Sequence, residues 1–420
     1  MAESTIRIAI IGGGLAGMTL AAGLTKIPHV DAQVYEAARD IAGNHGGSYT
    51  FNSTTQRSFE RVIPSVQELL RRAGAVPNKS SRFISGLGPD MGTVIFDNWT
   101  TEPAPACLRR SRLLSEIITQ IPEETIHTGK KLVTISSNGD GVEANFEDGT
   151  KGQFDAVIGA DGIFGNVRKY VLGDTVADKY AAKPSGFWDI RVLQPYEKAK
   201  ALLGEENFEL DRQYVWIGGG SCILHDVLED RTLVQCMICS VEAESPKDRR
   251  HHLTREYLME ILSDWAGNPV AKGMIDLILD CKRPYGYSQW EHRETPTYSN
   301  GRICIIGDAA HATSSFHGFG AGTSIEDAMV LKALFNNISS PNEIEAAFKA
   351  FDSVRRERSQ RVVNSSREIG EICLGRHSEP DKFRRALAPK LAFIDAIDYE
   401  EHEKEAINKM REILKSQLSN

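Results

Sequence analysis

Three glycines near the amino terminus have the spacing of a phosphate-binding turn. Gly12, Gly14 and Gly17 follow the apolar run IRIAII and precede alanine and leucine residues at helical spacing. Gly12 permits a tight turn, Gly14 lets the backbone approach a pyrophosphate, and Gly17 lets a helix pack closely on a strand. The phosphates would meet the free N–H groups at the start of that helix. This pattern predicts a strand, a turn and a helix that together bind a dinucleotide.

A carboxylate follows at the position where it can select the dinucleotide. The run AQVYE predicts a second strand that ends at Glu36, nineteen positions after Gly17. At this spacing a carboxylate accepts hydrogen bonds from the adenosine ribose hydroxyls and repels a 2′-phosphate. We therefore expect FAD or NAD, rather than NADP, in this site.

A second glycine-rich segment, far along the chain, indicates a flavin. The run GRICIIGD predicts a buried strand that delivers Asp308 at its carboxyl end, where the carboxylate can hydrogen-bond a ribityl chain. Gly318, Gly320 and Gly322 come next, and TSIEDAMVLKALF predicts an amphipathic helix. Free N–H groups at its start would stabilise negative charge on a reduced flavin. An NAD-linked dehydrogenase would have no ligand for this second glycine-rich site.

The composition indicates an ordinary globular protein. The chain has 420 residues, 41% of them hydrophobic and 25% charged, which allows about two to three domains. Its net charge is −8, and no basic stripe stands out, so we expect no nucleic-acid partner.

The sequence has no apolar run of about 18 residues, and the first strand begins too early for a signal peptide. We therefore expect a cytoplasmic protein with no membrane partner, and leave a monomer and a homodimer both open.

The seven cysteines are scattered and do not suggest a disulfide framework. Cys236 and Cys239 form a CxxC pair inside LVQCMICSV, a run that predicts a strand. Positions i and i+3 of a strand point to opposite faces, so the two thiols cannot share a metal ion. We expect no bound metal.

Three motifs, in this order, resemble those of the flavin-dependent aromatic hydroxylases of the para-hydroxybenzoate and salicylate hydroxylase type. They are GxGxxG with Glu36, DAVIGADGIFGNVR at 155–168, and GDAAHATSSFHGFGAG at 307–322. The most similar branch is salicylate hydroxylase-like and includes fungal enzymes that act on phenolic polyketides. The resemblance extends over about residues 5–370.

This resemblance implies an α/β fold with a discontinuous arrangement of domains. A Rossmann-like FAD-binding domain of the glutathione reductase type would comprise residues 1–80, 106–175 and 296–345. An inserted mixed β-sheet domain that binds the substrate would comprise residues 81–105 and 176–295. Residues 346–420 would form a C-terminal helical segment.

The resemblance also implies cofactor contacts at two places in the middle of the chain. Asp161 and Gly162 are implicated in holding both FAD and the reduced nicotinamide, with Arg168 in support. Arg110, in LRRSRLLSEI, aligns with an arginine that contacts the FAD phosphates or the ribityl chain, although this helix start could equally be a solvated basic one. The remaining FAD contacts that we expect are Leu132, Gly320, Ala321 and Gly322.

Hydroxylation through a C4a-hydroperoxyflavin requires a dry cavity and a group that stabilises a phenolate. Arg191, in FWDIRVLQP, is the candidate cation because the phenolic-polyketide branch has an arginine in a similar local sequence; the alternative is a surface salt bridge. His225, in ILHDVL, titrates near neutral pH and could relay the phenol proton. His317 could donate a hydrogen bond to the flavin or the substrate. Each histidine could instead be a satisfied core residue.

Several positions depart from the family pattern. Gly165 stands where a serine is common, and Ser315 and Phe316 stand where a proline and often a histidine occur beside the flavin. Loss of a proline removes a fixed φ and adds a backbone donor. We therefore expect an altered flavin-facing loop and an altered substrate preference.

The segment after residue 345 is charged and predicts helices. Arg355, Arg356 and Arg358 are expected to form a solvated or domain-bridging face. This segment lacks an apolar membrane anchor.

The sequence therefore predicts an FAD-dependent monooxygenase that uses NADH or NADPH and O2 to hydroxylate a small phenolic or aromatic acid. Decarboxylation or dearomatisation of the product stays open. One alternative is a flavin-dependent epoxidase or indole oxidase of a neutral natural product. A second is a flavin-binding redox sensor without oxygenase turnover.

Overall fold

A computed structural model describes residues 5–43, 47–99, 103–137, 139, 141–208, 211–375 and 380–418. Its strands are, in chain order, β1 (Ile6–Ile11), β2 (Val30–Glu36), β3 (Ser48–Phe51), β4 (Val76–Pro77), β5 (Ser80–Ser85), β6 (Val94–Trp99), β7 (Ala106–Arg109), β8 (Ile126–Thr128), β9 (Leu132–Ser137), β10 (Val142–Phe146), β11 (Lys151–Phe154), β12 (Ala156–Gly159), β13 (Lys183–Pro195), β14 (Gln213–Gly218), β15 (Ser221–Leu228), β16 (Leu233–Val241), β17 (Arg250–His252), β18 (Tyr285–Glu291), β19 (Ser299–Asn300) and β20 (Ile303–Ile305).

The helices alternate with these strands in the first half of the chain and follow one another at its end. They are α1 (Leu15–Leu24), α2 (Ser53–Val62), α3 (Val66–Arg72), α4 (Arg110–Ile118), α5 (Val167–Leu172), α6 (Asp174–Ala177), α7 (Tyr196–Leu203), α8 (Arg255–Ile261), α9 (Pro269–Leu279), α10 (Asp308–His311), α11 (Gly320–Phe335), α12 (Ile344–Leu374), α13 (Pro380–Asp395) and α14 (Tyr399–Leu418).

The first sheet has the strand order β19-β20-β12-β1-β2-β8. Strand β1 is parallel to β2 and β12, and β12 is parallel to β20. Strand β1 is apolar and buried except at Arg7, and its other five residues belong to the main hydrophobic core, as is typical of parallel strands. The carboxyl ends of β1, β12 and β20 therefore meet at one edge of this sheet, where ligands bind in folds of this type.

The second sheet has the strand order β17-β18-β13-β16-β15-β14-β5-β6. Strands β5 and β6 precede α4 in the sequence and join strands that come more than a hundred residues later. Residues on β13 alternate between the two faces. Trp188, Ile190 and Val192 pack against the core that includes α7, α8 and α9, whereas Phe187 belongs to a separate cluster on the opposite face.

The C-terminal helices cover that opposite face of the second sheet. Ile369 and Cys373 of α12 and Phe383 of α13 pack in one cluster with Phe187. Helix α12 also lies against α11 and α14, so it contacts both parts of the molecule.

Helix α11 differs from the amphipathic helix that the sequence predicts. It is buried on nearly all sides, including Glu326 and Asp327, which are fully buried. Arg355 on α12 is also fully buried and pairs with both carboxylates, so this arginine does not belong to a solvated face. The pattern of charges suggested exposure because a sequence does not reveal that opposite charges on two helices will pair in the core.

The two thiols of the CxxC pair lie on opposite faces of β16, as expected. Cys236 packs in the core with Ile190 and Cys239 packs in the cluster with Phe187. Among the described residues, no group of three histidine, cysteine or acidic side chains is arranged to hold a metal ion. A search of the same residues finds no helix with the length and hydropathy of a membrane span.

Candidate active site

The glycine turn after β1 is closely packed at two positions and open at a third. A Cβ at Gly12 would lie 2.3 Å from the Ala160 carbonyl oxygen, and a Cβ at Gly17 would lie 2.0 Å from the Gly12 carbonyl oxygen. A Cβ at Gly14 would meet no atom within 4 Å. The turn therefore leaves open space above Gly14, at the start of α1, which fits a pyrophosphate group.

Glu36 ends β2 beside this turn. Its carboxylate accepts hydrogen bonds from the N–H groups of Gly13 and Ala38, each at 2.6 Å. Each carboxylate oxygen can accept a second bond, so Glu36 retains capacity for the hydroxyls of a ribose. Leu132 begins β9 close by, but its side chain is 5% exposed and packs in the core shared with β1 and β2.

Asp308, Arg110 and Tyr49 converge at the carboxyl edge of the first sheet. The Asp308 side chain is exposed, yet surrounding protein raises its pKa, while His311 and Arg110 oppose that shift. Asp308 is therefore accessible to solvent although protein surrounds it. Burial raises the pKa of Tyr49, and the nearby Arg110 opposes that shift, whereas Nε of Arg110 is buried with no partner among the described residues. An orphaned guanidinium donor beside a carboxylate fits the phosphates or the ribityl chain of a flavin nucleotide.

The neighbours of Arg110 point elsewhere. Arg109 Nη1 lies 2.8 Å from Glu229 Oε1, and Arg112 Nε lies 3.6 Å from the same oxygen. Among these three arginines, the geometry thus distinguishes Arg110, which is directed at Tyr49 and Asp308.

Asp161 lies after β12, against the glycine turn. Its Oδ2 accepts the Val167 N–H at 3.0 Å, at the start of α5, while the buried Oδ1 has no partner in the described part of the chain. Burial raises the pKa of Asp161. A Cβ at Gly165 would lie 2.2 Å from the Asp161 carboxylate, so a side chain at 165 would require this carboxylate to shift. Gly162, with φ of +80°, completes the turn.

Arg168 supports the Asp308 segment from behind. This buried guanidinium donates to the carbonyl oxygens of Ala309 at 3.0 Å and Tyr180 at 2.9 Å. It also donates to Thr295 Oγ1 at 3.0 Å. Burial lowers the pKa of Arg168 to about 10. Its contacts are with protein groups, so we assign it a positioning role.

A buried ion network fixes the segment immediately before Asp308. Asp327 Oδ2 accepts the Gly307 N–H at 2.9 Å and lies 2.6 Å from His311 Nε2, and Asp327 Oδ1 accepts from Arg355 Nε at 2.9 Å. Burial acts to raise the pKa of Asp327, but His311 and Arg355 outweigh it and lower the pKa. Arg355 also pairs with Glu326 at 2.7 Å.

The residues around the start of α11 combine open and packed positions. Gly320 and Ala321 are half-buried, whereas Gly322 is buried against Phe319 and Thr55. No side chain caps this end of the helix. Its first N–H groups are therefore available to a ligand that carries negative charge, as expected for a reduced flavin ring.

Arg191 lies on the face of β13 that looks toward this edge. Its Nη2 lies 2.9 Å from Asp189 Oδ2, and 29% of its side chain is exposed. Asp189 raises the pKa of Arg191 despite surrounding protein. Arg191 also acts electrostatically on Tyr49, as do Arg110 and Asp308. These four side chains therefore lie close enough to interact across one space, next to Gly47, where a Cβ would lie 3.2 Å from Arg191 Cδ.

His225 does not reach this space. It lies on the opposite face of the second sheet, stacked on Phe208 and Tyr214, with Nε2 3.1 Å from the Asn207 carbonyl oxygen. Burial lowers its pKa to about 4. This placement argues against the proton relay that the sequence suggested, because β15 turns His225 away from Arg191.

His317 is directed at the C-terminal helices. Its Nε2 lies 2.8 Å from the Lys390 carbonyl oxygen, and its ring meets Phe393 edge to face. Burial lowers its pKa. The structure thus gives the His317 ring a partner on α13 and does not bring it together with Arg191.

Three polar residues near Arg191 were not predicted from the sequence. Asp189 is two positions before Arg191 on a strand, and this spacing could have identified it as a neighbour on the same face. Asp226 adjoins His225 and lies on the opposite face from it. Tyr49 lies on the short strand β3, and no feature of the sequence around it indicates that it lies near Arg191.

A parallel sheet with a glycine turn at Gly14, joined to a second glycine-rich helix start at Gly320, defines a protein that binds a flavin dinucleotide. The chain matches the FAD binding domain family over residues 5–366 and belongs to that family. It is an FAD-dependent monooxygenase related to salicylate hydroxylases. The predicted α/β fold, cofactor and enzyme class are therefore confirmed, and the two alternatives are not favoured.

The chain is similar to two fungal enzymes and to one solved structure. It is 30% identical to 6-methylsalicylate 1-monooxygenase of Aspergillus terreus, over 99% of this chain and 95% of that protein. It is 30% identical to salicylate hydroxylase of Sarocladium schorii, over 88% of this chain and 82% of that protein. A salicylate hydroxylase solved as a substrate complex shares its fold, with a TM-score of 0.82 and 23% identity, over 96% and 98% of the two chains.

Proposed function

We propose that this enzyme uses NADH or NADPH and O2 to hydroxylate a small phenolic acid. The observation that carries the proposal is Arg191, a partly exposed guanidinium that acts electrostatically on Tyr49, as Asp308 also does. The names of the related 6-methylsalicylate and salicylate enzymes support the same class of substrate. FAD, when bound, supplies the activation of O2 and the transfer of one oxygen atom to the arene.

In this proposal the residues of the first sheet hold the cofactor. The turn at Gly14 receives the pyrophosphate, and Glu36 receives the adenosine ribose. Arg110 and Asp308 contact the phosphates and the ribityl chain, because one offers an orphaned donor and the other an exposed carboxylate. Asp161 borders the same turn and offers a carboxylate oxygen without a partner in the described part of the chain.

Arg191 binds the acidic group of the substrate and stabilises its phenolate. A cation close to a phenol lowers the pKa of the phenol, and the effect grows in a site from which water is excluded. Asp189 holds the guanidinium in place from the side. Phe187 and Phe316 meet edge to face, with 4.8 Å between ring centroids, and help to exclude water beside this pair.

We also propose the division into domains stated above, with FAD held by residues 1–80, 106–175 and 296–345 and the substrate by residues 81–105 and 176–295. Strands β5 and β6 support it because they belong to the same sheet as β13 to β18. The contact of α12 with both parts supports a bridging role for the C-terminal helices.

The first test is a screen of phenolic acids for stimulated NADH or NADPH oxidation, with the mass of each product recorded. A gain of one oxygen atom supports the proposal, and loss of carbon dioxide alongside it identifies a decarboxylating hydroxylation. If no phenolic acid stimulates oxidation but a neutral arene does, the proposal is wrong about the substrate class.

Arg191→Met tests the residue that carries the proposal. Loss of a buried charge partner costs about 2–5 kcal/mol, so kcat/KM for the acid should fall about 30-fold or more, while bound FAD is retained. The change should have little effect on a neutral substrate. Turnover of the acid at the wild-type rate would exclude Arg191 from substrate binding.

Arg82→Met is a matched control for this experiment. Arg82 lies on β5 of the same sheet, pairs with Asp97 at 2.7 Å, and has 29% of its side chain exposed, the same fraction as Arg191. It is in register with Tyr214, whose side chain packs in the core on the far face. The Arg82 variant should therefore keep the wild-type kcat/KM.

A further inference from the structure

A continuous series of hydrogen bonds joins Arg191 to the loop that precedes α11. Arg191 Nη2 donates to Asp189 Oδ2 at 2.9 Å, and Gln289 Nε2 donates to the same oxygen at 2.8 Å. Gln289 Oε1 then accepts the backbone N–H of Ser315 at 3.0 Å. The series passes from β13 to β18 and from there to Ser315–His317, a short 3-10 helix.

Ser315–His317 leads directly to the helix start that faces the flavin. Gly318 follows with φ of +67°, and α11 begins at Gly320. A shift of Ser315 therefore moves the backbone immediately before the N–H groups at the start of α11. The contact of Phe316 with Phe187 of β13 gives the loop a second attachment to the same strand.

The side chain at 289 must both donate and accept. A glutamine amide does so without charge, because Nε2 donates to the carboxylate and Oε1 accepts the N–H. The residue at 315 must in turn supply a backbone N–H. A proline there, as in the family pattern, would have no N–H to donate. The serine at 315 therefore permits a bond that a proline would abolish.

We propose that Gln289 is a positioning residue that couples the binding of an anion at Arg191 to the flavin-facing loop. This inference rests on the proposed function, because it requires an acidic substrate at Arg191. Asp189 Oδ2 accepts from both Arg191 and Gln289, so an anion that draws the guanidinium away strengthens the bond that remains to Gln289. The substrate thereby changes the position of Ser315 without touching it.

The coupling has a consequence that a merely structural glutamine would not produce. If Gln289 only held the sheet together, its loss would change the stability of the protein and leave the response of the flavin to substrate intact. If Gln289 couples the two sites, its loss should abolish that response while substrate still binds at Arg191.

The test measures two signals on the FAD-loaded enzyme during a titration with salicylate. Equilibrium dialysis gives the Kd of salicylate, and the difference absorption spectrum of the bound flavin gives the response of the cofactor. Gln289→Leu removes the bonds of the amide to Asp189 and Ser315, and also its longer contact with Cys239 Sγ at 3.8 Å. Ser315→Pro removes only the N–H, at the first position of a helical turn where proline is tolerated.

We expect both variants to bind salicylate with a Kd within about threefold of wild type, a change of less than about 1 kcal/mol. The amplitude of their flavin difference spectrum should fall at least several-fold. A larger share of the NADH or NADPH oxidised should appear as hydrogen peroxide. Gln194→Leu is the matched control, because Gln194 lies on β13 but donates to the Leu277 carbonyl oxygen on α9.

The outcomes separate this inference from the proposed function. If wild type and both variants give equal difference spectra, or if salicylate binds to wild type without a spectral change, the inference is overturned and the proposed function stands. If wild type binds neither salicylate nor any acid of the screen, both are overturned. Because Ser315→Pro leaves Gln289 in place and bonded to Asp189, misfolding of the Gln289 variant does not prevent the test.

Discussion

The two sides of the proposed cofactor cleft use polar groups in opposite ways. Beneath the flavin-facing loop, Asp327 and Arg355 are fully buried and bind one another and the loop backbone. On the open side, Arg191 is partly exposed and Asp308 is exposed, and Arg110 retains a donor without a partner in the described chain. Charged groups whose partners are all within the protein hold the backbone in place, whereas charged groups with unpaired donors or acceptors are available to bind ligands.

The glycine turn after β1 offers the strongest test of the difference between positions that hold the fold and positions that bind the cofactor. Gly17→Ala should prevent folding, because the new Cβ would lie 2.0 Å from the backbone oxygen of Gly12. Gly14→Ala should fold, because its Cβ would meet no protein atom within 4 Å, but it should weaken FAD binding about tenfold or more, a loss of about 1.4 kcal/mol. Soluble yield, circular dichroism of the apoprotein and FAD titration measure these effects.

The pair is its own control, since both changes add one methyl group to the same turn. Full FAD affinity in Gly14→Ala would show that the space above Gly14 is not where the phosphates bind. A folded Gly17→Ala protein of normal stability would show that α1 can move away from β1.

Arg355→Met should produce the next largest effect. It removes the cation that the buried carboxylates of Glu326 and Asp327 share, and removal of one partner from such a pair costs about 3–5 kcal/mol. Because Asp327 also binds the Gly307 N–H, the variant should lose FAD affinity along with stability. Urea denaturation and retention of FAD on gel filtration measure the two losses.

Arg356→Met is the control on the next residue of α12. Arg356 is 41% exposed and pairs with Asp352 one helical turn away, and such pairs contribute less than about 1 kcal/mol. If the two variants lost equal stability, the buried ion network would not be what holds the segment around Gly307 in place.

The fold and the cofactor site could largely be predicted from the sequence, for a physical reason. Local requirements determine the residues near Gly14 and Asp308. The turn at Gly14 needs residues without a Cβ, and the ribityl chain of a flavin needs a carboxylate at a strand end. Gly165 extends this argument, because its absent side chain makes room for Asp161. Each requirement can be recognised within a few residues of sequence.

The other side of the cleft could be predicted only in part, because it depends on register and on distant pairing. His225 is predicted beside the substrate, but neighbouring positions on a strand point to opposite faces, and Asp226 is the one that shares the face of Arg191. The burial of Glu326 and Asp327 in α11 depends on Arg355 and Arg358, which come about thirty residues later. The attachment of Gln289 to Ser315 likewise depends on a strand and a loop that meet only in the folded chain.

The smallest predicted effect concerns Asp226, the neighbour that lies on the other face from His225. Burial raises its pKa to about 6, opposed by Gln213, Arg191, Gln235 and Cys107, which face it from the strands around it. The folded state therefore binds this proton more tightly than the unfolded chain. The stabilising contribution is present below about pH 4 and is lost as the pH rises through about 6.

Asp226→Asn should remove this pH dependence. Between pH 4 and pH 7.5, the free energy of unfolding of the variant should rise relative to wild type by up to about 3 kcal/mol, the equivalent of about two pKa units. Asp97→Asn is a control for which we expect the opposite result. Burial raises the pKa of Asp97, but Arg82, Ser80 and Arg212 outweigh burial and lower the pKa. Loss of the Asp97 carboxylate should therefore lower the free energy of unfolding at pH 7.5. Urea denaturation at several pH values measures both, and parallel curves for Asp226→Asn and wild type would mean that this carboxylate ionises normally beside Arg191.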